Sequence, residues 1–153
     1  LNQCRRLVET LQLQDNVSFE GHLENPSSRL ANSDLFTLLS MQEGISNSLL
    51  VAMNAGVASY TTLAGGHGEF IRNGLNAYVA SSRNPKAVAR DLVAIINDKN
   101  RARIAQAGQE TVEKLFTTVS MGNQLETLLH RVVHTSHVSL TQALVHHKSD
   151  ASG

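Results

Sequence analysis

The chain has 153 residues, 41% hydrophobic and 17% charged, enough apolar material for one domain to bury a core. Lysine plus arginine equals aspartate plus glutamate at 13 each, which excludes the broad basic field that nucleic acid or an anionic membrane surface would need. One cysteine, Cys4, excludes an internal disulfide, and no apolar run approaches the roughly 20 residues of a bilayer span, so the cytoplasm is the expected compartment.

Leu1, Cys4, Leu7, Val8 and Leu11 recur at helical spacing from the first residue, with no start methionine and no capping residue ahead of them. The chain is therefore expected to be a fragment cut inside a helix. Residues 16–21, "NVSFEG", are β-branched and aromatic and read as a strand. Asn25 and Pro26 then supply a cap and a first-turn proline for a short helix to about residue 31. The nearly continuous apolar run 34–40, "DLFTLLS", reads as a strand buried on both faces. A helix over 47–55 stops at Gly56, and strands follow at 57–62 and 76–80, flanking a glycine-rich turn with a short helix at 64–74.

Asn84 and Pro85 cap a longer helix in which Val88, Leu92, Ile95 and Ile96 share a face. A further helix over about 101–116 carries Ile104, Val112 and Leu115, with Gly108 as an interruption that costs about 1 kcal/mol against alanine. A last helix over about 118–133 aligns Met121, Leu125, Leu128, Leu129, Val132 and Val133, and residues 135–153 read as a polar, loose tail. Strands alternating with helices predict an α/β fold: a Rossmann-like parallel sheet with helices on both faces.

In such sheets ligands bind beyond the carboxyl ends of the strands. There the stretch "SMQEGISNSLLVAMNAGVASY" (40–60) runs from strand end through loop to helix. The first turn of a helix leaves backbone N–H groups unpaired at the positive end of the macrodipole, which can seat a phosphate without lysine or arginine. Glu43, just ahead, can accept hydrogen bonds from sugar hydroxyls. The same residues also suit an ordinary surface cap, with a dipole-complementing glutamate beside serine and asparagine.

The segment "NVSFEGHLENPSSRLANSDLFTLLSMQEGISNSLLVAMNAGVA" resembles the carboxyl-terminal, donor-binding half of retaining glycosyltransferases of the GT-B fold, group 1 (family 4) type. The likeness continues through Gly65, Gly66 and Glu69, the family's "GG..E", then "NG.NAYV" and the long terminal helices, and covers about residues 7–130. It implies a partial GT-B half over 1–134 that takes part in moving a sugar from a nucleotide diphosphate sugar to a glycan or lipid-linked acceptor with retention. No cofactor and no metal are implied.

Position by position, the resemblance puts the catalytic role on Glu43, which would bind hydroxyls of the donor sugar. Gly44, Ile45, Ser46, Asn47, Ser48 and Leu49 would face sugar and diphosphate through their backbone, and Gly65, Gly66 and Glu69 would also bind the donor. The rate would come from stabilising the leaving group and positioning the substrates. The family's second glutamate, a ribose-diol ligand eight positions after the first, is here Val51, which accepts no hydrogen bond; weaker nucleotide binding is expected. Ala58 replaces a proline of the pattern.

The resemblance also implies that two donor-half strands, an arginine- and lysine-bearing loop and the whole acceptor half lie outside this chain. Family strand order 3-2-1-4-5-6 would leave 16–21 separated from 34–40, with an exposed or misplaced edge between them. Acceptor binding, and peripheral membrane association of the full-length protein, would reside in the missing half. Two other readings stand beside this one: a non-catalytic nucleotide- or partner-binding α/β module, favoured by Val51, and a GT-B-fold sugar-nucleotide epimerase.

His67, in the glycine-rich turn, reads as a solvated loop histidine or as a ligand contact, since nothing in the sequence orients it as an acid or base. His130, His134 and His137 have helical spacing that could meet one zinc ion, but no acidic or cysteine partner accompanies them, and the metal assignment is none. His146 and His147 fall in the expected tail. No GxGxxG follows a strand, which disfavours a nicotinamide cofactor.

Overall fold

The computed structural model describes the backbone of residues 1–149 and the side chains of residues 1–133. Its elements are α1 (Asn2–Thr10), α2 (Pro26–Leu30), β1 (Phe36–Leu38), α3 (Asn47–Asn54), β2 (Ser59–Thr61), α4 (His67–Phe70), β3 (Tyr78–Val79), α5 (Pro85–Ile96), α6 (Arg101–Leu115) and α7 (Thr118–Ser149). The strands form one parallel sheet in the order β1-β2-β3, with Thr37 opposite Tyr60 and Tyr60 opposite Tyr78.

That register sorts the side chains. Tyr60 and Tyr78 project to one face, where their hydroxyls donate to Asp91 of α5 at 2.6 Å and to Asp98 just after it at 2.8 Å. Phe36, Leu38, Ala77 and Val79 project to the other and pack with Leu49 and Met53 of α3 and Val112 of α6. Helices thus cover both faces, and every residue of the central strand β2 is buried. Phe70 and Phe116 close this core edge to face, their centroids 4.9 Å apart.

The caps follow the sequence. Asn25 accepts the Ser28 amide and Asn84 the Lys86 amide, each ahead of a proline at the helix start. Gly56 ends α3 with φ +70°, the left-handed conformation glycine adopts without strain. Gly108 does not interrupt α6: a β-carbon there would meet the Asn76 carbonyl, so its bare surface lets the helix pass close to the loop entering β3.

Several expectations are corrected. Residues 16–21 form no strand; Val17 and Phe19 are exposed, and the segment is held instead by Glu20 paired with Arg29 and by Arg5 over the Phe19 ring. Strand propensity needs a neighbouring ladder: β1, expected to be buried on both faces, pairs with β2 alone, its Thr37 is exposed, and among the described residues no strand pairs with its other edge. On α5 only Ile95 of the expected face is buried, while Ile96 is 57% exposed because it lies off the line that meets the sheet. Leu115 is likewise exposed, and no residue of α1 is buried.

Helix α7 extends through Ser149, beyond the end near 133 that the apolar pattern suggests, and its residues Met121, Leu125, Leu128, Leu129, Val132 and Val133 are exposed. The side chains of the expected tail lie outside the described residues. No helix among the described residues is long and apolar enough to cross a membrane.

Candidate functional site

Two loops leave the carboxyl ends of neighbouring strands and meet. The first, residues 40–46, joins β1 to α3; the second, residues 62–66, joins β2 to α4. The ladder continues between them, since the Thr62 amide donates to the Leu38 carbonyl at 3.3 Å and the Thr62 hydroxyl to the Ser40 carbonyl at 2.7 Å. Farther out, the Gly66 amide donates to the Gly44 carbonyl at 2.9 Å. Gly65, with φ +56°, brings its backbone against the Glu43 carbonyl. The paired glycines are what let two backbones approach this closely.

Glu43 is half-buried at the tip of the first loop, and its Oε1 accepts the Ser40 hydroxyl at 2.7 Å. That bond turns the carboxylate back over the end of β1 and leaves its other oxygen with capacity to accept. Gly44 and Ile45 are exposed beside it. Ser46, 93% buried, opens α3, but its hydroxyl bonds the Ser48 hydroxyl at 2.9 Å and caps nothing. The amides of Asn47, Ser48 and Leu49 therefore have neither an intrahelical acceptor nor a side-chain cap, at the end of the helix where partial positive charge collects. Asn47 and Ser48 are exposed, whereas the Leu49 side chain is wholly in the core, so only its backbone can serve a ligand.

Glu69 is exposed on α4. Val51 lies one turn into α3 and lines a cleft of about 530 Å³ with Ser27, Ala31, Asn54, Val112 and Phe116. It joins the wall of an apolar groove and offers a ligand no acceptor.

The solvated reading of His67 is overturned. Its side chain is fully buried, with Nε2 3.3 Å from the Ser46 amide nitrogen, Nδ1 3.1 Å from the Thr62 carbonyl oxygen and the Phe70 ring against its edge. The glycines on both sides of it gave the sequence reading a flexible loop. Its burial follows from the distance between the two loops, which only the sheet sets. Farther along the chain, His130 lies 3.9 Å from Glu126, and His134, His137, His146 and His147 lie outside the residues whose side chains are described. No group of three or more metal-ligating residues occurs among the described residues.

Comparison with known proteins gives the family and the fold. The family described as "Glycosyl transferases group 1" matches residues 1–111. N-acetyl-alpha-D-glucosaminyl L-malate synthase of Bacillus anthracis is 32% identical over 129 residues, 84% of this chain and 34% of that protein. Among solved structures, Anabaena Alr3699/HepE in complex with UDP superposes with a TM-score of 0.78 at 23% identity, covering 85% of this chain and 36% of that one. The C-terminal domain of LpcC, a glycosyl transferase group 1 family protein of Francisella tularensis, does so with a TM-score of 0.66 at 25% identity, covering 76% and 62%. The chain spans about a third of the length of the curated relatives it matches.

Proposed function

Because the chain belongs to the group 1 glycosyl transferases, we propose that it is the donor-binding portion of an enzyme that moves a sugar from a nucleotide diphosphate sugar to a glycan or lipid-linked acceptor with retention. The observation that carries this reading is the uncapped start of α3 set beside the carboxylate of Glu43. The amides of 47–49 take the diphosphate and Glu43 takes hydroxyls of the sugar. As the sugar–phosphate bond breaks, charge grows on the departing phosphate, and fixed N–H donors already aimed there stabilise it without reorganising. Gly65 and Gly66 hold the opposite wall near enough for both groups to be reached at once. Glu69 completes the polar rim of the donor site.

Acceptor binding, and any peripheral membrane association, is assigned to parts of a longer protein, in keeping with relatives of which this chain matches about a third. The expected location of the chain is cytoplasmic, where nucleotide sugars are at hand. The division into a donor-binding unit over 1–134 and a tail over 135–153 belongs to the same proposal.

One observation favours a second reading, nucleotide or partner binding without transfer. Val51 sits in an apolar groove and gives a ribose no acceptor. Calorimetric titration with UDP, GDP and ADP tests both, using the wild-type chain, Glu43→Ala and Val51→Glu. UDP, the nucleotide in the HepE complex, is the first choice. Binding that Val51→Glu tightens about tenfold and Glu43→Ala weakens for the sugar nucleotide supports the donor site. A folded chain that binds none of the three in any variant sinks it.

A further inference from the structure

Each ring nitrogen of His67 meets a backbone group of a different loop. A carbonyl can only accept and an amide N–H can only donate. One neutral tautomer serves both: Nδ1–H donates to the Thr62 carbonyl, and the Nε2 lone pair accepts the Ser46 amide. Thr62 is itself tied to Ser40 through its hydroxyl, and Ser40 to the Glu43 carboxylate. Buried His67 and Ser46 and half-buried Thr62 and Ser40 thus form a clasp whose two ends are the two anchors of the loop carrying Glu43.

Resting on the donor-site reading, we propose that His67 is a positioning residue for donor binding, its Nδ1–H tautomer clamping the start of α3 to the end of β2. With no exposed surface it touches no ligand. Its effect runs through Ser46, the residue from which the free amides of 47–49 begin. By satisfying the Ser46 amide within the protein, the ring fixes the direction of the next three for an anion. An apolar side chain of similar size would fill the space and strand both backbone groups.

The test uses the 153-residue chain. Nitrogen-15 NMR of the His67 ring reads the tautomer directly, and UDP titration compares wild type with His67→Leu and His67→Gln, each checked for folding by its melting curve. We expect a proton on Nδ1 and none on Nε2, and about tenfold weaker UDP binding for His67→Leu. His67→Gln should recover binding to within about threefold, because its carboxamide carries a donor and an acceptor on one planar group.

A proton on Nε2 in the wild type, or a folded His67→Leu that binds UDP as tightly as wild type, overturns the role of His67 and leaves the donor site standing. A His67→Gln chain that also loses tenfold overturns the claim that the donor–acceptor pair is what matters, and decides the case if His67→Leu does not fold. Wild type that binds no nucleotide removes the donor-site reading, and the positioning role with it.

Discussion

A β-carbon built on Gly65 would stand 1.6 Å from the carbonyl oxygen of Glu43, well inside any permitted contact. The φ of +56° at Gly65 adds a second restriction, since an L side chain in that region costs roughly 1–2 kcal/mol. Gly65→Ala must therefore push the two loops apart. We expect a stability loss of about 2–4 kcal/mol in urea unfolding, with UDP binding lost beyond what unfolding explains. Gly68→Ala, one turn on and with open space around it, should change stability by less than about 0.5 kcal/mol. Equal effects from the two substitutions would contradict the close approach.

Gly108 and Gly122 both lie inside helices, yet their alanine variants should move stability in opposite directions. Propensity alone favours alanine by about 1 kcal/mol at either site. At Gly108 the new methyl would lie 2.8 Å from the Asn76 carbonyl and 3.4 Å from the Met53 methyl, so the net effect is a loss of about 1–3 kcal/mol. Nothing lies within 4 Å at Gly122, where a gain of up to about 1 kcal/mol is expected. Thermal melts of the two variants decide it, and a stabilising Gly108→Ala would mean that α6 does not press on the β3 loop.

These glycines mark the boundary of what the sequence could tell. Local chemistry was legible: Asn25–Pro26 and Asn84–Pro85 cap the helices they announce, and Gly56 ends α3 where it should. The strand-to-loop-to-helix order that sets Glu43 ahead of Ser46 was equally readable from pattern. Gly108 looked like a defect because its reason, the Asn76 carbonyl, lies 32 positions away in the chain. Residues 16–21 looked like a strand because their composition suits one, but a strand exists only in a ladder, and among the described residues none pairs with them. His67 was illegible for the same reason as Gly108. Its two partners belong to different loops, and only the parallel pairing of β1 with β2 brings them within reach of one ring.

Asn76 holds the turn before β3 by using its whole carboxamide. It is 9% exposed; its Oδ1 accepts the Arg72 amide at 2.7 Å, and its Nδ2 donates to the Phe70 carbonyl at 2.9 Å and the Thr111 hydroxyl at 3.1 Å. Asn76→Asp keeps the shape but replaces the donor with an acceptor facing another acceptor. We expect a loss of about 2–4 kcal/mol in chemical denaturation at pH 7, larger than for Asn73→Asp, whose single bond to the Val79 amide needs only an oxygen. Comparable losses at the two positions would show that the buried amide group is not the anchor.

Tyr60 and Tyr78 make the fold sensitive to alkali in a defined window. Burial, with the Asp91 carboxylate beside it, pushes the Tyr60 phenol up to about 12, and burial with Asp98 does the same for Tyr78. In the unfolded chain both titrate near 10. Between those values the unfolded state gives up protons that the folded state retains, so stability is complete below about pH 10 and falls as pH rises toward 12. Urea midpoints taken at pH 8, 9, 10 and 11 should hold steady through 9 and then decline. Tyr60→Phe should cost about 1–2 kcal/mol at pH 8, through the lost bond to Asp91, and flatten the decline above pH 10. A wild-type curve that stays level to pH 11, or a Tyr60→Phe curve that falls just as steeply, would mean that the phenol–carboxylate pairs do not hold α5 to the sheet.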